Sequence, residues 1–197
     1  MRRPLPRLLS PRDLPEAELR AAVLDGELYA LGDRWSSVAD PDDAEARARS
    51  VLSESSSRTI AARRTAAWIW GACAAPPPDL QCLVSSSARS RGAPSGSRVS
   101  EVRIDDDEVV RLGGVLVTSP ARTVLDLLRL SDPHGEAEEL ALRVLGDHGV
   151  EPRSVLALSR RHSSAVGRAR AQALLCALVS RRSPGRRRRP RRCDAPR

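Results

Sequence analysis

The sequence predicts an α+β fold, and three observations carry that prediction. Apolar residues recur at three- and four-residue steps in segments toward both ends of the chain. Four short β-prone runs crowd its middle, two of them joined by Gly113-Gly114. There is no internal repeat at a solenoid period. Helices, then short strands, then helices again is the order of an α+β domain rather than of alternating β-α units.

The elements follow in chain order. Residues 1–12 form a Pro- and Arg-rich arm with Arg2, Arg3, Arg7 and Arg12 and no acid. A helical pattern starts at Asp13, with Leu14, Ala17, Ala21 and Leu24 on one stripe, Pro15 near its start and Gly26 as its stop. Glu27–Leu31 and Trp35–Val38 flank Gly32-Asp33-Arg34 and read as a hairpin, with Tyr29 and Trp35 expected to pair across it. Helix followed by hairpin is the back half of a winged helix-turn-helix whose front half is shortened to the arm.

Asp40–Asp43 reads as a linker and helix start leading into Ala44–Leu52, and Ser53–Ser57 breaks the pattern. Ile60–Gly71 is expected as a second helix, on which Trp68 and Trp70 face different sides. Pro76-Pro77-Pro78 then excludes helix and leads to a strand, Leu80–Val84. Ser85–Ser97 is expected to be a flexible loop. Val99–Ile104, Val109–Leu112 and Val115–Val117 are the remaining strands, and Ser119-Pro120 is an N-cap followed by a first-turn proline. Helices at about 136–147, 152–161 and 166–180 complete the body. The organisation is a basic arm plus partial winged helix over 1–41, an α+β domain over 42–180 and an Arg/Pro-rich disordered tail over 181–197.

The formal charge is +8, from 33 Arg against 25 acids. The last 17 residues hold nine Arg and one acid, so the first 180 carry 24 of each and sum to zero. The excess belongs to the tail, whose basic run suits sequence-independent nucleic-acid contact. Lys, Asn and Phe are absent, as in a GC-rich bacterial gene. Neither an apolar run of about 20 residues nor a signal-peptide core is present, so a cytoplasmic protein with no membrane association is expected.

No catalytic constellation emerges. The four cysteines lack zinc-ligand spacing and read as buried hydrophobes, Cys193 of the tail apart. His134, His148 and His162 read as chance surface positions. Asp105–Glu108 reads as a solvated turn before a magnesium site, and Arg122 with Asp126 as a helix-surface ion pair before a catalytic pair. Phosphate loops, nucleophile elbows and zinc-protease motifs are all missing. The expectation is a non-enzyme with no cofactor and no metal.

Arg63–Gly71, a Pro-rich break, a short strand and then Gly114–Leu127 resemble the AbiEi-type antitoxin family of actinobacteria, as does the helix-to-wing segment Leu24–Asp33. The match covers roughly residues 10–180. Its core is a strand running into Thr118-Ser119-Pro120-Ala121-Arg122-Thr123 and Asp126. The resemblance implies a transcriptional regulator with a winged helix on its own operator DNA. It also implies pairing with a nucleotidyltransferase-like toxin in a type IV abortive-infection system. Thr118, Ser119, Pro120, Arg122, Thr123 and Asp126 would be structural within it. The candidate DNA-contacting residues are Arg2, Arg3, Arg7, Arg12, Arg20 and Arg34. Some members of the family continue into an endonuclease-like module, and no such module is expected here. A protein-interaction module without specific DNA binding is the alternative, and an enzyme built on Asp105–Glu108 the third reading.

Overall fold

The computed structural model describes residues 5–52, 58–86, 96–130, 132, 134–162 and 166–181. The Ser53–Ser57 break, most of the Ser85–Ser97 loop and nearly all of the Arg/Pro tail lie outside them. The fold is α+β, as the sequence predicts.

A first sheet is built from β1 (Leu8–Leu9), β2 (Leu28–Leu31) and β3 (Arg34–Ser37), antiparallel throughout in the order β1-β3-β2. Between β1 and β2 runs α1 (Glu16–Leu24), which seats Leu19 fully in the interior. Gly26, at φ 75°, ends that helix. Its N–H bonds the Val23 carbonyl and the Glu27 N–H bonds that of Ala22, the double reversal that only a left-handed residue permits cheaply.

Two expectations are corrected here. The Pro- and Arg-rich arm contains a strand that was not expected, because Leu8 and Leu9 pair with Ser36 and Trp35. Pro6 and Pro11 flank that pair without entering it, as an edge strand allows. Nor do Tyr29 and Trp35 face each other. The register sets Tyr29 opposite Ser36 and Ala30 opposite Trp35, so strand alternation sends the two rings to opposite faces.

The second sheet follows α2 (Ala44–Val51). It comprises β4 (Thr59–Ala61), β5 (Gln81–Ser85), β6 (Arg98–Val102), β7 (Val109–Leu112) and β8 (Val115–Thr118), in the order β6-β5-β4-β8-β7. The outer pair β5–β6 and the inner pair β4–β8 are parallel; β4–β5 and β7–β8 are antiparallel. Gly113 and Gly114 both take positive φ, 52° and 87°, and close β7 onto β8 in a two-residue turn. The central strand departs from the helix expected over Ile60–Gly71. Thr59, Ile60 and Ala61 are instead extended and wholly buried, and the helix α3 begins only at Arg63 and runs to Ile69. A strand covered on both faces shows no polar–apolar alternation to announce it.

Four helices finish the chain: α4 (Pro120–Arg129), α5 (Glu136–Asp147), α6 (Pro152–Arg161) and α7 (Arg168–Arg181). They close one apolar cluster around Leu125, Leu127, Val144 and Leu175. A second cluster joins Leu31 of the first sheet to Ala46, Trp68 and Val117, so the N-terminal unit shares its core with the body. The cysteines divide: Cys82 is buried, and burial pushes its thiol up to about 11. Cys73 is half-buried, and Cys176 is exposed on α7 rather than buried as expected.

Asp43 ties the two parts together. One of its oxygens accepts the Ala46 N–H at 2.8 Å, capping α2, and the other takes Arg7 Nη2 at 3.0 Å. The Ala46 N–H, with Arg7 behind it, holds this carboxyl below the usual carboxylate range. A depressed value adds stability above the unfolded-state value of about 3.9, which is lost as pH falls through the folded one. Asp43→Ala should therefore cost about 1 kcal/mol at pH 7. The urea midpoints of variant and parent should draw together as pH falls below about 4; a constant gap would count against a charged cap.

Candidate functional site

The arginines expected at DNA divide into three groups. Arg2 and Arg3 lie outside the described residues. Arg7 and Arg20 are held within the molecule: Arg7 by Asp43 and the Pro41 carbonyl, Arg20 by Glu16 one helical turn back at 2.7 Å. Arg12, at the entry to α1, and Arg34, at the start of β3, make no ion pair among the described residues. The outward face of α1 presents Glu16 and Glu18 beside Arg20, with the apolar Leu24 strongly exposed at its end. An exposed pair such as Arg20–Glu16 is worth well under about 1 kcal/mol, so a phosphate could draw Arg20 away at little cost. The two glutamates would oppose that approach.

A second concentration of charge lies where the β7–β8 hairpin meets α4. Ser119 sits at the N-cap of α4, its hydroxyl accepting the Arg122 N–H at 3.4 Å, and Pro120 occupies the first turn. The Thr118 and Thr123 hydroxyls are 2.7 Å apart, and Thr123 also donates to the Thr118 carbonyl. The indole of Trp70 donates to that carbonyl as well, at 2.9 Å, fastening α3 to the same corner. The other edge of Trp70 meets His148, whose Nε2 is 2.7 Å from the Trp70 carbonyl oxygen.

Arg122 and Asp126 are not a surface pair. Both are buried, and the guanidinium Nε lies 2.9 and 3.0 Å from the two Asp126 oxygens. Its Nη1 reaches Glu108 at 2.5 Å. The surface reading assumed that α4 shows a polar face to water. Instead the hairpin, α6 and α7 cover it, and every residue from Arg122 to Leu128 is buried.

Glu108 corrects the solvated-turn reading in the same way. It ends a 3-10 turn over Asp106–Glu108 and is only 1% exposed, while Asp106 and Asp107 remain outside. Its second oxygen lies 2.6 Å from His162 Nε2, so His162 too is part of the network rather than a chance surface position. Arg161 forks onto Asp107 from outside, at 3.1 and 2.9 Å. Burial pushes the Asp126 carboxyl up against the pull of Arg122, and pushes Arg129 down despite its contact with Asp126.

Donor atoms of Asp105, Glu108 and His162 lie within 4.8 Å of one another, a spacing a cation could use. Both Glu108 oxygens are already engaged, however, one by Arg122 and one by His162. Two guanidinium groups, Arg122 and Arg161, stand where a cation would otherwise neutralise the carboxylates. The arrangement braces the hairpin against α4 and α6. The sequence held one signal for it: Asp105-x-x-Glu108 has capping-box spacing, and both reciprocal bonds are present. His162 carried no local signal.

No protein-family model matches the sequence, and no curated protein matches it. Among solved structures, that of the RV2827C protein from Mycobacterium tuberculosis aligns with 87% of this chain and 76% of its own, at 17% identity and a TM-score of 0.38. A likeness of that depth assigns neither fold nor function. No helix among the described residues is long and apolar enough to cross a membrane.

Proposed function

We propose that the protein is an antitoxin-like transcriptional regulator. It binds operator DNA through the N-terminal sheet and α1, and opposes a nucleotidyltransferase-like toxin through the remainder. The observation that carries this reading is the strand order β1-β3-β2, with α1 entering directly before the β2–β3 hairpin. That is the arrangement in which a winged helix lays a helix in the major groove and a hairpin along the backbone. Arg12 precedes α1 and Arg34 begins β3 at the hairpin turn. The resemblance of the Thr118–Asp126 segment to AbiEi-type antitoxins supports the partner half of the reading.

The test is a gel shift on the DNA upstream of the protein's own gene, at physiological salt and with excess random competitor. Retardation that survives the competitor is expected. The double variant Arg12→Ala, Arg34→Ala should weaken it and lower the slope of log affinity against log salt by about one per arginine removed. Complete loss of retardation to the competitor would sink the operator role.

A second reading is favoured by the ion pairs of Arg7 and Arg20 and by the acidic outward face of α1. It is a protein-interaction module without specific DNA binding. It expects no specific shift, together with co-purification of a nucleotidyltransferase-like protein encoded beside the gene.

A further inference from the structure

A cleft of about 690 Å³ opens beside the buried network, between β6, the start of α3 and the C-terminal end of α4. Five arginines line its wall: Arg63, Arg103, Arg122, Arg129 and Arg161. Two of them are matched, Arg122 by Glu108 and Asp126 and Arg161 by Asp107. The other three are not. Arg63 has only the Ser100 hydroxyl, at 3.2 Å. Arg103 makes no ion pair among the described residues. Arg129 has a single long contact, 3.5 Å to an Asp126 oxygen that Arg122 already holds more closely.

Arg129 is the most telling of these. Its side chain is 9% exposed, yet its Nε and Nη2 are enclosed with no hydrogen-bond partner. A buried guanidinium with two idle donors is costly unless something supplies the acceptors. Arg63 adds an independent sign. It is the one non-glycine residue with positive φ (51°) among the described residues, a conformation that costs a side-chain-bearing residue about 1–2 kcal/mol. Such strain concentrates where a side chain must be aimed at a ligand.

We infer that this cleft is a binding site for the phosphate group of a small molecule, held by Arg63, Arg103 and Arg129. The donor geometry selects the class. The planar guanidinium fork suits phosphate oxygens. The cleft is larger than one phosphate, and Leu130 and Val102 on its wall leave room for an apolar body. The site does not depend on the regulatory reading above, since it lies in the second sheet and α4, away from the first sheet.

Titration of the full-length protein with inorganic phosphate by calorimetry at low ionic strength tests this. Saturable one-site binding below about 10 mM is expected. Arg63→Gly removes the guanidinium but keeps the backbone conformation, and should weaken binding at least about tenfold, as should Arg129→Met. Arg153→Ala, exposed on α6, should leave it unchanged. If Arg129→Met fails to fold, Arg63→Gly and Arg103→Ala decide alone. Binding that is unaffected in those two variants, or no saturation by that concentration, overturns the site. Acetate competing as well as phosphate overturns the phosphate assignment.

Discussion

Replacing Arg122 with methionine should lower folding stability by about 3–5 kcal/mol at pH 7. Methionine approximates the volume of the side chain, so the loss measures charge rather than a cavity. Without the guanidinium, Glu108 and Asp126 remain buried facing each other, at 1% and 7% exposure. Burial already pushes the Asp126 carboxyl up, and Arg122 is what opposes it. A carboxyl raised in the folded state contributes stability that is fully present below its unfolded value of about 3.9 and lost as pH rises through the folded one. The gap between variant and parent should therefore be widest near neutrality and close as the solution is acidified toward pH 4. Adding Glu108→Gln and Asp126→Asn to the variant should recover part of the loss at pH 7. Urea denaturation across that range reads all three. A cost below about 1 kcal/mol at neutral pH, the size of an exposed pair, would return Arg122 to the surface role its spacing first suggests.

Trp68→Ala should cost a similar amount, about 3–5 kcal/mol, for a different reason. Its ring is 1% exposed and lies in the cluster that joins α2, α3 and the second sheet. The Arg47 guanidinium sits 5.5 Å above the ring, a contact that truncation removes, while its bond to the Trp68 backbone carbonyl at 2.8 Å is kept. The indole N–H is enclosed with no acceptor. Trp68→Phe keeps most of the ring and removes the idle donor, and should recover the greater part of the stability. Equal losses for the two variants would show that neither ring volume nor the N–H governs this position. Chemical denaturation followed by circular dichroism separates the outcomes.

What was legible in the sequence depended on whether a signal was local. The Gly113-Gly114 turn, the Ser119-Pro120 start of α4 and the Gly26 stop of α1 each need a residue type for a backbone reason, and each stands where expected. The hairpin β2–β3 was legible for the same cause. The readings that failed depended on what covers an element. Thr59–Ala61 is buried on both faces and resembles the start of the helix that follows it. Arg122 and Asp126 have the spacing of a solvent-facing pair, and only the fold, which sets the buried Glu108 against them, makes them interior. Glu108 and His162 meet across 54 positions of sequence, a distance over which no periodicity speaks. Arg129 and Arg103 looked like two of many arginines until the fold placed them on one wall.

The strand order of the second sheet also bears on how the chain is made. β4 is flanked by β5 and β8, and its partner β8 is synthesised long after β4 and β5 have left the ribosome. Until Val115–Thr118 emerges, the nascent chain carries one open sheet edge at β4, with the backbone donors and acceptors of Ile60 and Ala61 unpaired on that side. The helices that will cover the sheet, α4 onward, come later still. Synthesis from the N-terminus therefore passes through a stage in which an apolar edge is available to other chains. The β7–β8 hairpin forms locally around its two-residue glycine turn, but its parallel docking on β4 closes a loop of more than 50 residues and is the slower step.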